Sequence, residues 1–298
     1  MAPKIRAYTF AHMQLKDNKL STLRTFFEKS MGQANIEKEE WRPLFRMLCL
    51  EALGLQSRDL LLLDETRLTE SEILKALHII KELKKQRPIQ YILGECDFMG
   101  LRFLINESAL IPRPETEELI QYILEERAED ITLLDVGTGS GCIAISLAHG
   151  IPSAEVHAMD LSEEALILAK ANAEKLECNV IFHQDNMHEP SAEYPQFDMI
   201  VCNPPYITEK EKVFMESRVL DHEPDLALFI PDDRPLQSYE GLISFSQSRL
   251  KKNGLLFLEI NEALGKETIE LLKSNGYECN TPRKDIYGKD RFIRAVKG

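Results

Sequence analysis

Phe197-Asp198-Met199-Ile200-Val201-Cys202-Asn203-Pro204-Pro205-Tyr206 is an apolar run that stops at two prolines. Proline lacks an N–H and has a fixed φ, so Pro204 and Pro205 cannot continue a central strand. The stretch therefore reads as a buried strand that delivers a stiff turn with an amide, two bare carbonyls and an aromatic ring. In open α/β sheets, ligands sit just beyond the carboxyl ends of strands. A rigid turn at that place suits a planar group carrying an NH2. The Asn203 side-chain oxygen and the Pro204 carbonyl are expected to accept its hydrogen bonds, with the Tyr206 ring packed on its flat face. Proline turns after strands are common, so the meaning of this one depends on its surroundings.

Upstream and downstream the pattern alternates between β and α. Residues 131–136 read as a strand, Gly137-Thr138-Gly139-Ser140-Gly141 as a tight turn, and Ile143 as the start of a helix. Glu155–Asp160 is a second strand, followed by a helix that Ser162 caps with Glu163 and Glu164 in its first turn. Leu166, Ala169, Ala173 and Leu176 give that helix a buried stripe. Residues 180–185 form a third strand, the opening stretch a fourth, and residues 254–260 a fifth that precedes a helix through Asn275 and Gly276. Segments near 277–280 and 291–296 read as a closing antiparallel pair, which makes seven strands. Such alternation implies a mainly parallel sheet with helices on both faces.

The glycine turn is the second anchor. Glycines there let the backbone bend sharply and approach a ligand closely. The spacing is G-x-G-x-G, not the G-x-G-x-x-G of dinucleotide binders, and no Lys-Ser/Thr of a P-loop follows. An NAD-type enzyme is therefore disfavoured. The second strand ends in Asp160, placed for the two hydroxyls of a ribose, and the third in Asp185-Asn186, placed to meet an adenine edge. Asp135, at the loop entrance, is positioned to face a cationic amino group. An adenosine bearing an amino acid, with no pyrophosphate to cradle, fits S-adenosylmethionine. Its methyl would then point at the nitrogen that the Asn-Pro-Pro-Tyr turn holds. An amide nitrogen is a poor nucleophile, so much of the rate would come from positioning.

The rest of the chain frames these anchors. Residues from about 18 to 87 read as a small helical bundle, with Pro43 near a helix start and a capping box at Thr69-Glu70-Ser71-Glu72 ahead of Ile73, Leu77 and Ile80. Pro88 closes the bundle. Phe98, Leu101, Phe103 and Ile105, with Gly100 between them, suggest a hairpin. Three parts follow: a helical domain (1–88), a linker with the hairpin (89–111) and the sheet domain (112–298). In Ile111-Pro112-Arg113-Pro114-Glu115-Thr116-Glu117, Pro114 sits where a helix begins, with Glu115 and Glu117 at its positive end.

With 298 residues, 44% of them hydrophobic, the chain is long enough for one large and one smaller domain. Mean hydropathy is -0.25, and no apolar run approaches the roughly 20 residues of a membrane helix. The N-terminal residues, Met1-Ala2-Pro3-Lys4-Ile5-Arg6, lack the apolar core of a signal peptide. Six scattered cysteines without a Cys-x-x-Cys pair suggest reduced thiols in the cytoplasm, and seven histidines show no metal-ligand spacing. A net charge of -13 argues against an extended phosphate-binding surface.

Taken together, the Pro-Arg-Pro-Glu-Thr stretch, Asp135 through Gly141, Asn203 through Tyr206 and Asp221-His222-Glu223-Pro224-Asp225-Leu226-Ala227-Leu228 resemble the HemK/PrmC family. Its members are protein-(glutamine N5) methyltransferases that modify the Gly-Gly-Gln glutamine of class I peptide chain release factors. The resemblance spans nearly the whole chain and implies a Rossmann-like class I methyltransferase fold behind a helical N-terminal domain that helps recognise the release factor. It implies that Gly137, Thr138, Gly139, Ser140, Gly141, Asp160 and Asn186 contact S-adenosylmethionine. Asn203, Pro204, Pro205 and Tyr206 would hold the glutamine, with Asn203 also near the cofactor, and Arg113, Glu115 and Thr116 would flank the pocket. A cytoplasmic monomer that touches neither membrane nor nucleic acid is expected. Pro231-Asp232-Asp233-Arg234-Pro235 replaces a glycine-containing turn frequent in the family, and Asn186 replaces a bulkier residue. Asn-Pro-Pro-Tyr is shared with adenine-N6 methyltransferases of DNA, and the same chemistry would serve a ribosomal-protein glutamine. These are the two alternative substrates.

Overall fold

The computed structural model describes residues 15–191 and 193–298. The expectation drawn from Met1 through Arg6 lies outside the described residues. The chain forms two compact units that divide after Leu93.

The first unit contains α1 (Leu20–Gln33), α2 (Lys38–Met47), α3 (Glu70–Leu83) and α4 (Ile89–Leu93). Leu20, Leu23, Phe27 and Met31 of α1 bury one face against Ile73, Ala76, Ile80 and Leu83 of α3, with Phe27 and Phe45 rings 5.3 Å apart. The capping box forms as read: Thr69 Oγ1 accepts from the Glu72 N–H at 3.2 Å, and Glu72 accepts from the Thr69 N–H at 2.6 Å. Three expectations change. Pro43 lies inside α2 rather than near its start, because Lys38, Glu39 and Glu40 begin the helix earlier. That helix widens into a π turn at Leu48–Ala52. Residues 53–69 are not helical: Gly54 turns left-handed at φ 68°, and Leu68 brings the connection back into the core. The unit also runs past Pro88, since Ile89 packs into the same core.

The second unit opens with a hairpin of β1 (Glu95–Phe98) and β2 (Leu101–Leu104), turned at Gly100. Then come α5 (Pro114–Leu124), β3 (Thr132–Val136), α6 (Cys142–Gly150), β4 (Glu155–Asp160), α7 (Glu163–Lys175), β5 (Ile181–Gln184) and β6 (Phe197–Cys202). β7 (Ile207–Thr208), α8 (Ser217–His222), α9 (Asp225–Leu228) and β8 (Phe229–Ile230) make an insertion in which β7 and β8 pair in parallel. α10 (Gln237–Arg249), β9 (Leu250–Glu259), α11 (Gly265–Ser274), β10 (Tyr277–Cys279), β11 (Arg283–Lys284) and β12 (Asp290–Lys297) complete it.

The sheet order is β10-β12-β9-β6-β3-β4-β5, with β11 added as an eighth strand beside β12. β5, β4, β3, β6 and β9 run parallel, and β12 inserts antiparallel between β9 and β10. The centre of the parallel sheet is apolar, as strands covered on both faces must be: Leu133, Leu134, Ile200, Val201, Phe257 and Leu258 are fully buried, whereas the edge strand β5 stays partly exposed. From β3 the chain proceeds outward through β4 and β5, then returns to β6 and proceeds outward the other way. This reversal puts the switch point between β3 and β6, whose last residues, Val136 and Cys202, are register partners. Both anchor loops leave the sheet there.

Candidate active site

Beyond the carboxyl ends of β3, β4 and β6 lies a cavity of about 400 Å³, walled by residues of the second unit. That volume suits a small ligand. Its floor is the glycine turn. Gly137 and Thr138 N–H groups both bond the Met159 carbonyl, at 2.9 and 3.0 Å, which pins the turn to the end of β4. Gly137 and Gly139 have φ of 74° and 55°, a region side chains rarely enter, and a Cβ on Gly137 would meet nothing within 4 Å. The turn is therefore glycine for its backbone shape and leaves open space above it.

Below the turn, Asp135 is wholly buried. Its Oδ2 accepts from Thr138 Oγ1 at 2.6 Å and from the Ala144 N–H at 3.2 Å, while Oδ1 has no partner among the described residues. Burial pushes this carboxyl up to about 7, against the pull of those two donors. Asp135 thus braces the turn and the start of α6 from beneath, and lies outside the cavity wall where a cationic ligand group was expected to meet it. Gly141 also lies outside the wall. A Cβ there would meet Ile145 at 3.0 Å and Ala169 at 3.1 Å, so its role is close packing against α7.

Asp160, at the end of β4, lines the cavity. Its Oδ2 accepts from the Gly139 N–H at 2.8 Å and its Oδ1 from the Ser162 N–H at 2.9 Å. Each oxygen keeps a lone pair for a ligand hydroxyl. Burial raises this carboxyl too. Asp185 and Asn186 reach the wall, but their acceptors serve the loop that follows. Asp185 accepts from the Ser191 N–H at 2.9 Å and the Tyr194 hydroxyl at 3.0 Å, and Asn186 Oδ1 from the His188 N–H at 2.9 Å.

The opposite wall is the Asn-Pro-Pro-Tyr turn. Asn203, Pro204 and Pro205 line the cavity. Asn203 Nδ2 donates to Thr116 Oγ1 at 3.2 Å, so Oδ1 remains an acceptor with no partner among the described residues. The Pro204 carbonyl likewise takes no hydrogen bond from them, but that of Pro205 is not bare: Ser238 Oγ donates to it at 2.8 Å. Tyr206 is not among the residues that wall the cavity, and its hydroxyl donates to Glu259 at 3.0 Å. At the rim, Arg113 Nη2 bonds both Glu223 oxygens, at 2.6 and 2.8 Å, and the Glu223 side chain is 1% exposed. This pair joins the start of α5 to the end of α8. Thr116 lines the cavity one helical turn on, while Glu115 sits in the first turn of α5 outside the wall.

Sequence reasoning missed three supports. Asn172 on α7, fully buried, bonds both the N–H and C=O of Leu104 and the Ser140 carbonyl, which fastens the hairpin to the glycine turn. Asn261 Nδ2 holds the Tyr206 carbonyl at 3.1 Å. Glu259, the last residue of β9, is 2% exposed and bonds both Thr116 and Tyr206. A lone carboxylate directly after the apolar run Leu255-Leu256-Phe257-Leu258 is the signal that could have found it.

The residues present fit S-adenosylmethionine: an open cradle over left-handed glycines, a carboxylate with spare lone pairs at the second strand end, and no pyrophosphate-binding spacing. S-adenosylmethionine is the methyl donor of this class of enzyme. Residues 115–223 match the methyltransferase small domain profile and residues 22–94 the PrmC N-terminal domain profile. The release factor glutamine methyltransferase of Flavobacterium psychrophilum is 42% identical over 93% of this chain and 98% of its own. That of Bacteroides thetaiotaomicron is 43% identical over 86% of this chain and 93% of its own. A methyltransferase from Pyrococcus furiosus shares the fold with a TM-score of 0.50 at 18% identity, covering 67% of this chain and 91% of that one. In sequence, domain content and fold alike, the chain belongs to the release factor glutamine methyltransferase family.

Proposed function

We propose that this chain transfers a methyl group from S-adenosylmethionine to the side-chain amide nitrogen of the Gly-Gly-Gln glutamine in class I peptide chain release factors. The observation that carries the substrate half is the pair of acceptors, Asn203 Oδ1 and the Pro204 carbonyl, that no described residue engages, on a proline-stiffened turn beside the glycine loop. Two acceptors bind the two hydrogens of one NH2 group and fix its plane. The bound donor supplies an electrophilic methyl carried on a sulfonium. Gly137 through Ser140, Asp160 and Asn186, which line the cavity, would hold that donor. Asn203 and Pro204 aim the amide nitrogen for in-line attack, and being neutral carbonyls they orient the amide rather than deprotonate it. Arg113, locked by Glu223, shapes the mouth. The helical unit, 1–93, contributes recognition of the release factor.

The enzyme works as a cytoplasmic monomer in this reading. No helix among the described residues is long and apolar enough to cross a membrane. The net charge of -13 supports a protein substrate over nucleic acid. The test is methyl transfer from labelled S-adenosylmethionine to a purified release factor, a ribosomal-protein preparation and duplex DNA, offered separately, with the modified residue located by mass spectrometry. Label on the Gly-Gly-Gln glutamine is expected, and label only on adenine or on a ribosomal protein overturns the substrate. Asn203→Ala is expected to lower turnover by about 10² to 10³ while donor affinity changes little. An equal loss of both would remove Asn203 from the substrate clamp.

A further inference from the structure

We propose that Glu259 is a positioning residue that, acting through the Thr116 hydroxyl, sets which end of the Asn203 side-chain amide meets the substrate nitrogen. This role presupposes that Asn203 clamps the substrate amide. Hydrogen-bond polarity decides the orientation. A carboxylate only accepts. Both Glu259 oxygens are engaged by hydroxyls, Oε2 by Thr116 Oγ1 at 2.8 Å and Oε1 by Tyr206 at 3.0 Å. A threonine hydroxyl has one proton, and here it is committed to Glu259. Toward its other neighbour Thr116 can only accept, and that neighbour is Asn203 Nδ2 at 3.2 Å. The NH2 end of Asn203 is thereby drawn to Thr116, and Oδ1 is left for the substrate.

The flipped amide would set Asn203 Oδ1 against Thr116 Oγ1, two acceptors with no proton between them. It would also turn an NH2 toward the NH2 of the substrate, two donors face to face. An isolated asparagine has little preference between the two orientations, because oxygen and nitrogen are nearly the same size. The preference must come from outside, and the structure assigns it to a carboxylate on a neighbouring strand. Burial strengthens the hold of Glu259 on Thr116, since in a dry setting a hydrogen bond is electrostatically stronger than in water.

The chain of command has a weak point, which is a proton on Glu259. A neutral carboxyl can donate to Thr116, freeing the threonine proton for Asn203 Oδ1 and allowing the amide to flip. Burial raises the Glu259 carboxyl above its ordinary range, partly offset by Thr116, Tyr206 and the Arg291 charge, and Glu115 pushes it further up. The other ionisable groups facing it are the buried Tyr239 and Cys202. Turnover is therefore expected to fall on the acid side as Glu259 takes up a proton, without a matching loss of donor affinity.

The experiment measures turnover, donor affinity and the pH profile for the full chain and for Glu259→Gln, Thr116→Val, Thr116→Ser, the Glu259→Gln/Thr116→Val pair and Asn203→Ala. Thr116→Val keeps the shape but removes the relay, and is expected to lower kcat by about 10² with donor Kd within about threefold of the parent. Thr116→Ser, which retains the hydroxyl, restores most of that loss. The double variant is no worse than the poorer single variant, because both break one chain. The acid limb attributed to Glu259 disappears in Thr116→Val, where the amide no longer senses the carboxyl. Should Glu259→Gln fail to fold, the two Thr116 variants carry the test. Loss in Asn203→Ala with parental turnover in Thr116→Val, or an unchanged acid limb there, overturns the relay alone. Parental turnover in Asn203→Ala overturns the reading of Asn203 and the relay with it.

Discussion

In the helical unit the described residues bury Ser30 and the hydroxyl-bearing Tyr91 but no charged or amide side chain, whereas the larger unit buries Asp135, Asp185, Glu223, Glu259, Asn172 and Asn261, among others. The first unit is held by apolar faces of α1 and α3, in which one residue is replaceable by another of similar volume. The second surrounds its cavity with directional bonds, each needing a named partner at a fixed distance. An apolar core tolerates small displacements without losing its energy, but a carboxylate that selects an amide orientation does not. Stability and chemistry are thus stored in different currencies of contact: packing alone makes a surface, and placement of charge makes a site.

The sharpest way to break this division is to remove a ring from the first unit. Phe27 is fully buried, and Phe27→Ala is expected to destabilise that unit by about 3–5 kcal/mol in denaturant unfolding. Donor affinity of the folded protein should stay at the parental value. A drop in donor affinity without unfolding would show that the two units do not divide their labour.

Next in size is the proton on Asp135. Its carboxyl stands at about 7 in the folded protein against an ordinary 3.8, so the native state binds more protons between those values. Stability therefore falls as pH rises through that window and is lowest above it, an effect of up to about 4 kcal/mol. Asp135→Asn should flatten the pH dependence of unfolding between pH 4 and 7. A slope equal to the parent's would mean that Asp135 is already ionised under the turn.

The smallest effect concerns Asp160. Asp160→Ala is expected to weaken S-adenosylmethionine binding by about 1–3 kcal/mol, the usual penalty for removing hydrogen bonds to a charged group. Titration calorimetry reads it directly, and the fall in unfolding stability should be well below that of Phe27→Ala. Unchanged binding would place the ribose elsewhere.

Much of the fold is legible in the residues. β4 and β6 begin and end where alternation and the prolines place them, and the Thr69 and Ser162 caps form as their local pattern requires. Such features depend on neighbours within a turn or two. What stays hidden depends on partners far along the chain: Thr116 and Tyr206 meet Glu259 across sequence separations of 143 and 53 residues. Nothing local to Thr116 announces that relation. The hydroxyl of Tyr206 likewise meets a carboxylate supplied by β9 that its own surroundings do not announce. Pro43 falls inside α2 because acidic residues upstream start the helix before it. The glycine turn can be read from spacing, but the polarity of the hydrogen bonds around Asn203 cannot.

The antiparallel entry of β12 has a consequence for the order in which the molecule is made. β12 pairs with the strand that ends in Glu259, and Phe292 is its register partner there. During synthesis the glycine turn and the Asn-Pro-Pro-Tyr turn emerge well before β12 does, while β9 waits with an open edge. A nascent chain can therefore gather the glycine turn before the strand that pairs beside Glu259 has been made. The hydrogen bonds that Glu259 makes to Thr116 and Tyr206 thus rest on a strand whose free edge is closed after both turns have been made.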